Sequence, residues 1–299
     1  MPSIKVKGKL EALTINESLG DIPTHFMKSG SCYRPTSDLE GLEEFKERII
    51  PKQYRGSPFQ YDIWFNTNTL NTVHKWLYTD FLGNGILVKT PSIKINDKLM
   101  ISIVDNPDVK IDYDRCNKII NNFHNKYTLT GNQKYYDKVI FLPGSNLLSK
   151  GKCVHWGRVR RAIEEGFVIK PHPITQKIWV AKMKKDFGDE NVLDPKEGGF
   201  ELLANCTHCA TMPNSEMGMM ALMLDKQLSM VSHTKEDREK ALLTYESIYF
   251  AIANTNAKES LMKLFSARNS GIIFNFDEDA ETRMEMFLNN FWGMKVING

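Results

Sequence analysis

The sequence predicts an α/β fold, and three observations carry that prediction. From about residue 138 to 231, short apolar runs of buried-strand length alternate with amphipathic helical segments. The connections between them are short, as in a parallel sheet whose strands are joined by crossover helices. The turns that follow the strands are built from Pro, Gly, Ser and Asn, residues that end strands and open helices.

The first half alternates less cleanly. Residues 14–23 read as a strand end followed by a Gly20-Asp21 turn. Ser37-Asp38-Leu39-Glu40 can cap a helix to about Ile50, with Leu39, Leu42, Phe45, Ile49 and Ile50 on one face. Strands are predicted at 61–65, 85–89 and 99–104, and helices at 70–81, 114–123 and near Tyr135.

The second half is regular. A strand at 138–142 is followed by the turn Pro143-Gly144-Ser145-Asn146. A helix at 155–165 directs Val159, Ala162 and Ile163 inward and spreads Arg158, Arg160 and Arg161 around its surface. Then come a strand at 167–169, a helix at 178–187, a short strand at 191–193 and a short helix at 200–204. A strand at 208–212, a helix at 215–224 and a strand at 228–231 follow, and helices at 238–253, 257–266 and 280–292 complete the chain. The polar stretch 132–137 marks a boundary, giving domains of 1–135 and 136–275 and a terminal segment, 276–299, that returns to the first.

Composition narrows the function classes. A chain of 299 residues suggests two domains, and 41% hydrophobic with 25% charged residues is enough to bury a sizeable core. A formal charge of +3 is too small for a protein that coats nucleic acid, yet it permits an anionic substrate. The first residues hold no apolar signal region, and no run approaches the roughly 18 apolar residues of a membrane span. Five cysteines in so long a chain argue for a reducing cytoplasm rather than a disulfide framework. Abundant Asn, Lys and Ile suggest an AT-biased coding genome, such as many bacteriophages have.

Three post-strand turns would open on the same edge of a parallel sheet, where ligands bind in this class. In Pro143-Gly144-Ser145-Asn146, Gly144 allows close backbone approach and Ser145 offers a hydroxyl and an N–H to a phosphate. In Lys170-Pro171-His172-Pro173, two prolines stiffen the chain around a cation and an imidazole. In Pro213-Asn214-Ser215-Glu216, a helix opens at Ser215, whose free N–H groups and dipole favour an anion; Gly218 follows one turn in. Each has a plain structural alternative. Gly144 can be a simple turn, His172 a strand-exit cap and Ser215 an N-cap, with Glu216 complementing the dipole. Met219, Met220 and Met223 read as core packing.

His172-Pro173, then Ser215-Glu216-Met217-Gly218-Met219-Met220-Ala221-Leu222, then Lys226 and the strand at 228–231, together resemble the carboxyl domain of GT-B type nucleotide-sugar glycosyltransferases, especially the capsule-polysaccharide and sialyltransferase-like branches. The resemblance covers residues 138–232. It implies two Rossmann-like domains facing a central cleft, with a terminal helix packed back on the first. It implies donor binding by His172 and Ser215 at the phosphates and by Glu216 at the ribose or sugar. Gly144, Ser145, Lys170 and Arg158 complete the expected donor set, which neutralises the leaving diphosphate with no obligatory metal. Asn214-Ser215-Glu216 stands where the family usually has paired hydroxyls, which leaves the nucleotide open between UDP, the favoured donor, and CMP. The expected catalytic base is Asp21, with Glu17 and His25 as rivals.

Composition and resemblance together point to a cytoplasmic sugar transferase, with the phage class that glycosylates 5-hydroxymethylcytosine in double-stranded DNA as the leading acceptor reading. Glucose or arabinose would be the sugar. Lys46, Arg48, Lys52, Tyr54 and Arg55 could meet phosphates or form a solvated helix face. A capsule or cell-surface glycan transferase and a non-catalytic nucleotide- or DNA-binding module are the alternatives. Cys206-Thr207-His208-Cys209 lacks the second ligand pair of a zinc site and reads as a strand start. Asp112-Tyr113-Asp114 reads as an N-cap, and Asp277-Glu278-Asp279 as the capping run of the last helix.

Overall fold

The computed structural model describes residues 64–65, 76–89, 93–127, 135–148, 154–232 and 245–292. Asp21, Glu17, His25 and the basic group 46–55 lie outside the described residues. In chain order the strands and helices are β1 (Trp64–Phe65), β2 (Trp76–Leu82), β3 (Gly85–Lys89), α1 (Ile93–Val104), α2 (Tyr113–Tyr127), β4 (Lys138–Phe141), α3 (Ser145–Leu148), α4 (Trp156–Glu164), β5 (Val168–Lys170), α5 (Lys177–Phe187), α6 (Gly199–Asn205), β6 (His208–Thr211), α7 (Glu216–Met223), β7 (Gln227–Met230), α8 (Glu246–Ile252), α9 (Ala257–Ser266), β8 (Ile272–Phe274) and α10 (Ala280–Trp292). The fold is mixed α/β with a parallel sheet.

The chain divides into two compact units. Among the described residues one comprises 64–119 and 247–292, and the other 120–246. The sheet of the first unit runs β1-β2-β3-β8, and every pairing in it is antiparallel. The described strands of this unit thus differ from the parallel strands expected of a Rossmann-like first domain. Two element assignments change with it. Residues 76–81 of the expected 70–81 helix lie instead in β2, which turns back on β3 through Gly83-Asn84, with Gly83 at φ +59° as a tight hairpin demands. The 99–104 strand is the last half of α1, whose buried Asn96, Leu99, Met100, Ile103 and Val104 recur at helical spacing.

Residues 247–275, expected with the nucleotide-binding half, pack in the first unit. The tie is a buried polar knot. Asp112 caps α2 by accepting from Arg115 N at 2.9 Å, the N-cap role expected for it. Arg115 Nε donates to Phe265 O at 2.6 Å, Nη2 donates to Ile272 O at 3.2 Å, and Nη1 pairs with Asp277. Arg283 reaches Asp279 at 2.8 Å and Asp277 at 3.8 Å. Asp277 is therefore more than a helix-capping residue. Its carboxylate is buried between two guanidinium groups and also accepts from Phe274 N at 2.7 Å. Burial, then the neighbouring Arg283 charge, pushes the Arg115 pKa down to about 9, so the guanidinium stays charged at neutral pH.

The second unit holds the parallel sheet, in the order β5-β4-β6-β7. The predicted 191–193 strand is reduced to one parallel bridge, Val192 beside Ile169, on the outer side of β5. Successive strands therefore step outward from β4 through β5 to Val192. The chain then returns to the other side of β4 for β6 and β7. One face of the sheet packs Ile140, Ile169, Ala210 and Met212 against Val159 and Ala162 of α4 and Met183 of α5. None of the buried residues of α6 and α7 belongs to that cluster; these helices cover the other face, where Met217, Met219, Met220 and Met223 are core residues.

Candidate functional site

In a parallel sheet, each strand delivers its following turn to the same edge, and the reversal of strand order leaves a crevice there. Here the reversal lies between β4 and β6, and the turns after β5, β4 and β6 are those singled out in the sequence.

The first two are in contact. A Cβ added at Gly144 would stand 2.9 Å from Ile174 Cγ1 and Cδ1 and 3.9 Å from His172 Nδ1. The absent side chain thus lets the β4 turn close against the His172 loop. Ser145 is buried, and its Oγ accepts from Gln176 N at 2.6 Å, just before α5. That helix has no side-chain cap of its own, so Ser145 serves the neighbouring loop. His172 closes its own turn: its carbonyl accepts from Thr175 N at 2.8 Å, and its Nδ1 accepts from Ile174 N at 3.3 Å. An accepting Nδ1 leaves the proton of a neutral ring on Nε2.

Lys170 points inward. Its Nζ donates to Pro171 O at 2.8 Å and Pro195 O at 2.7 Å, and the residue is 3% exposed. Burial lowers its pKa to about 8, against the raising effect of Glu197 and Asp194. Two of its three N–H bonds thus brace the loop that carries His172.

The third turn stands on β6, whose Thr211 hydroxyl donates to Phe141 O of β4 at 3.4 Å. Ser215 is the N-cap of α7, with Oγ accepting from Met217 N at 3.2 Å. Glu216 is buried, and its Oε1 accepts from the Tyr245 hydroxyl at 2.9 Å. Arg158 lies further off. It is exposed, and its Nη1 donates to Ser232 O at 3.1 Å beyond the end of β7. With strands about 4.8 Å apart, the turn after β6 is about 10 Å from that after β5, and the end of β7 about 14 Å. The His172 and Ser215 turns are therefore separated by roughly the length of a nucleotide.

Among the described residues no group of three or more His, Cys, Asp or Glu side chains is arranged to hold a metal ion. Cys206 Sγ donates to Leu203 O, His208 Nε2 meets Ser229 Oγ at 2.8 Å, and Cys209 is fully buried. Gln176, Ile174, Pro195 and Tyr245 were not anticipated. Gln176, Ile174 and Pro195 act through main-chain or apolar contacts that leave no motif, and Tyr245 reaches Glu216 across 29 residues. No protein-family model and no curated protein sequence matches this chain.

Proposed function

We propose that the unit 120–246 is a Rossmann-like nucleotide-binding unit and that the protein is a glycosyltransferase using a nucleotide-sugar, with a UDP-sugar the favoured donor. The observation that carries this reading is the closure of Gly144 on His172 and Ile174 beside the strand-order reversal, with the N-terminus of α7 on its other side. The resemblance of 138–232 to GT-B donor domains is the reason for naming sugar transfer rather than another nucleotide chemistry.

In this reading His172 donates its Nε2 proton to a donor phosphate, and the amides and dipole at the start of α7 favour the negative charge of the leaving diphosphate. Ser145 and Lys170 act indirectly by fixing the loop that presents His172, and the bond from Tyr245 orients Glu216. The acceptor hydroxyl loses its proton to a base, for which Asp21 is the candidate. The oxygen bonds the anomeric carbon, and the electron pair of the breaking bond leaves with the nucleotide. The favoured acceptor is 5-hydroxymethylcytosine in double-stranded DNA, in a cytoplasmic setting. Among the described residues no helix is long and apolar enough to cross a membrane.

The test is hydrolysis and transfer with a panel of UDP- and CMP-sugars, followed by mass analysis of hydroxymethylated DNA. His172→Ala is expected to weaken UDP binding about tenfold or more, the scale of one charge-assisted hydrogen bond. Absence of nucleotide binding at millimolar concentration, or unchanged binding by His172→Ala, overturns the reading. Turnover of CMP-sugars alone moves it to the glycan class.

A further inference from the structure

Two neighbouring helices concentrate the positive charge of the protein. The α4 segment carries three Arg against one Glu, and α5 carries four Lys against one Asp, a combined net of +5. The whole chain carries +3, so everything outside these helices is net acidic. The two lie side by side over one sheet face. Trp156 stacks on Phe187 at 6.0 Å between ring centroids, and the Arg160 guanidinium sits 5.2 Å over the same ring. The outward groups Arg158, Arg160, Arg161, Lys177, Lys182 and Lys185 are all exposed.

Neither helix has a carboxylate in its first turn, while Arg158 and Lys177 lie there, against the preference of the helix dipole. The carboxylates Glu164, Glu165, Asp186, Asp189 and Glu190 lie in or just beyond the last turns, beside Arg161, Lys184 and Lys185, and Lys184 pairs with Asp189 at 3.5 Å. A local rule broken twice in the same sense, with no carboxylate in either first turn, suits an external anion. The first turn of α5, with Lys177, adjoins the candidate site, since α5 begins one residue after Gln176, whose N–H bonds Ser145.

The geometry points to the outer face of α4 and α5 as the docking surface for the phosphate backbone of duplex DNA. A polyanion fits better than a small anion because the cations spread over two helices, about 8–10 Å apart. A duplex presents one charge per about 1.7 Å of its axis, so several of these cations meet phosphates at once. The inference rests on the proposed function only in naming DNA, and its test needs no sugar donor.

The test is equilibrium binding of the full chain to a 20-base-pair unmodified duplex between 50 and 200 mM salt. Arg161→Glu, Lys177→Glu and Lys185→Glu are combined in one variant, with the Gln triple variant as the gentler partner. The reversal is expected to weaken binding about tenfold or more and to flatten the log–log salt slope by about 3, at roughly 0.9 per phosphate contact. The Gln variant should show a smaller change of the same sign, and UDP binding should be unaltered in both. The inference is overturned if the wild-type chain does not bind the duplex or if the variants bind as tightly as wild type. It is also overturned if poly-glutamate competes as well as DNA, or if only reversal of Lys46, Arg48, Lys52 and Arg55 weakens binding.

Discussion

Gly144→Ala probes the contact on which the candidate site depends. The new methyl would sit 2.9 Å from two carbons of Ile174, well inside van der Waals contact. Cδ1 can swing away, but Cγ1 moves only with the side chain as a whole, so relief displaces Ile174. Its amide bonds His172 Nδ1 at 3.3 Å. Overpacking of this kind costs about 1–3 kcal/mol, and the half-exposed setting of Ile174 places the cost near 1. That corresponds to a fall of about 2–4 °C in melting temperature for a chain of this size. UDP affinity is expected to drop about fivefold as the His172 turn shifts. The decisive assay is a double-mutant cycle read by calorimetric UDP titration and thermal melting. Ile174→Ala alone should be mild, and in combination it should restore most of what Gly144→Ala removes. If Gly144→Ala melts as wild type, or if Ile174→Ala adds to its defect, the packing argument fails.

Two further predictions address the scaffold. Asp277→Ala leaves Arg115 and Arg283 buried without their shared carboxylate and should destabilise the first unit by about 3–5 kcal/mol in urea unfolding, whereas Arg115→Met with Asp277→Leu should recover much of it; a loss below about 1 kcal/mol contradicts the buried pairing. Lys170 has a folded pKa near 8 against an ordinary 10.5, so the unfolded chain binds more protons between those values and stability should rise with pH across that window, by up to about 3 kcal/mol. Lys170→Met should flatten that rise, and an unchanged pH profile argues against a buried ammonium.

The parallel half was legible because each strand there is a short apolar run cut off by Pro, Gly or polar residues. Lys138–Phe141, Val168–Lys170, His208–Thr211 and Gln227–Met230 all fall within one residue of the predicted limits. The antiparallel half was not. Trp76–Leu82 is aromatic-rich and fits either period; the Gly83-Asn84 pair after it was the usable hairpin signal. The run 99–104 follows Asn96-Asp97, which read equally as a turn before a strand and as polar positions of a helix, so its apolar length could not distinguish a strand from the end of a helix. At the site, the sequence located the three turns but not their partners. Ser145 and Lys170 look like ligand groups in a linear reading, yet their short bonds run to Gln176 N and to two proline carbonyls. A hydrogen bond to the main chain depends on where the fold brings that chain, and no residue type announces it.

The most direct measurement is a crystal structure of the protein with UDP bound. The account predicts the nucleotide at the carboxyl edge of the β5-β4-β6 strands, with His172 Nε2 within hydrogen-bond distance of a phosphate oxygen and the start of α7 facing the same ligand. A nucleotide bound away from that edge, or His172 facing away from it, would contradict the account.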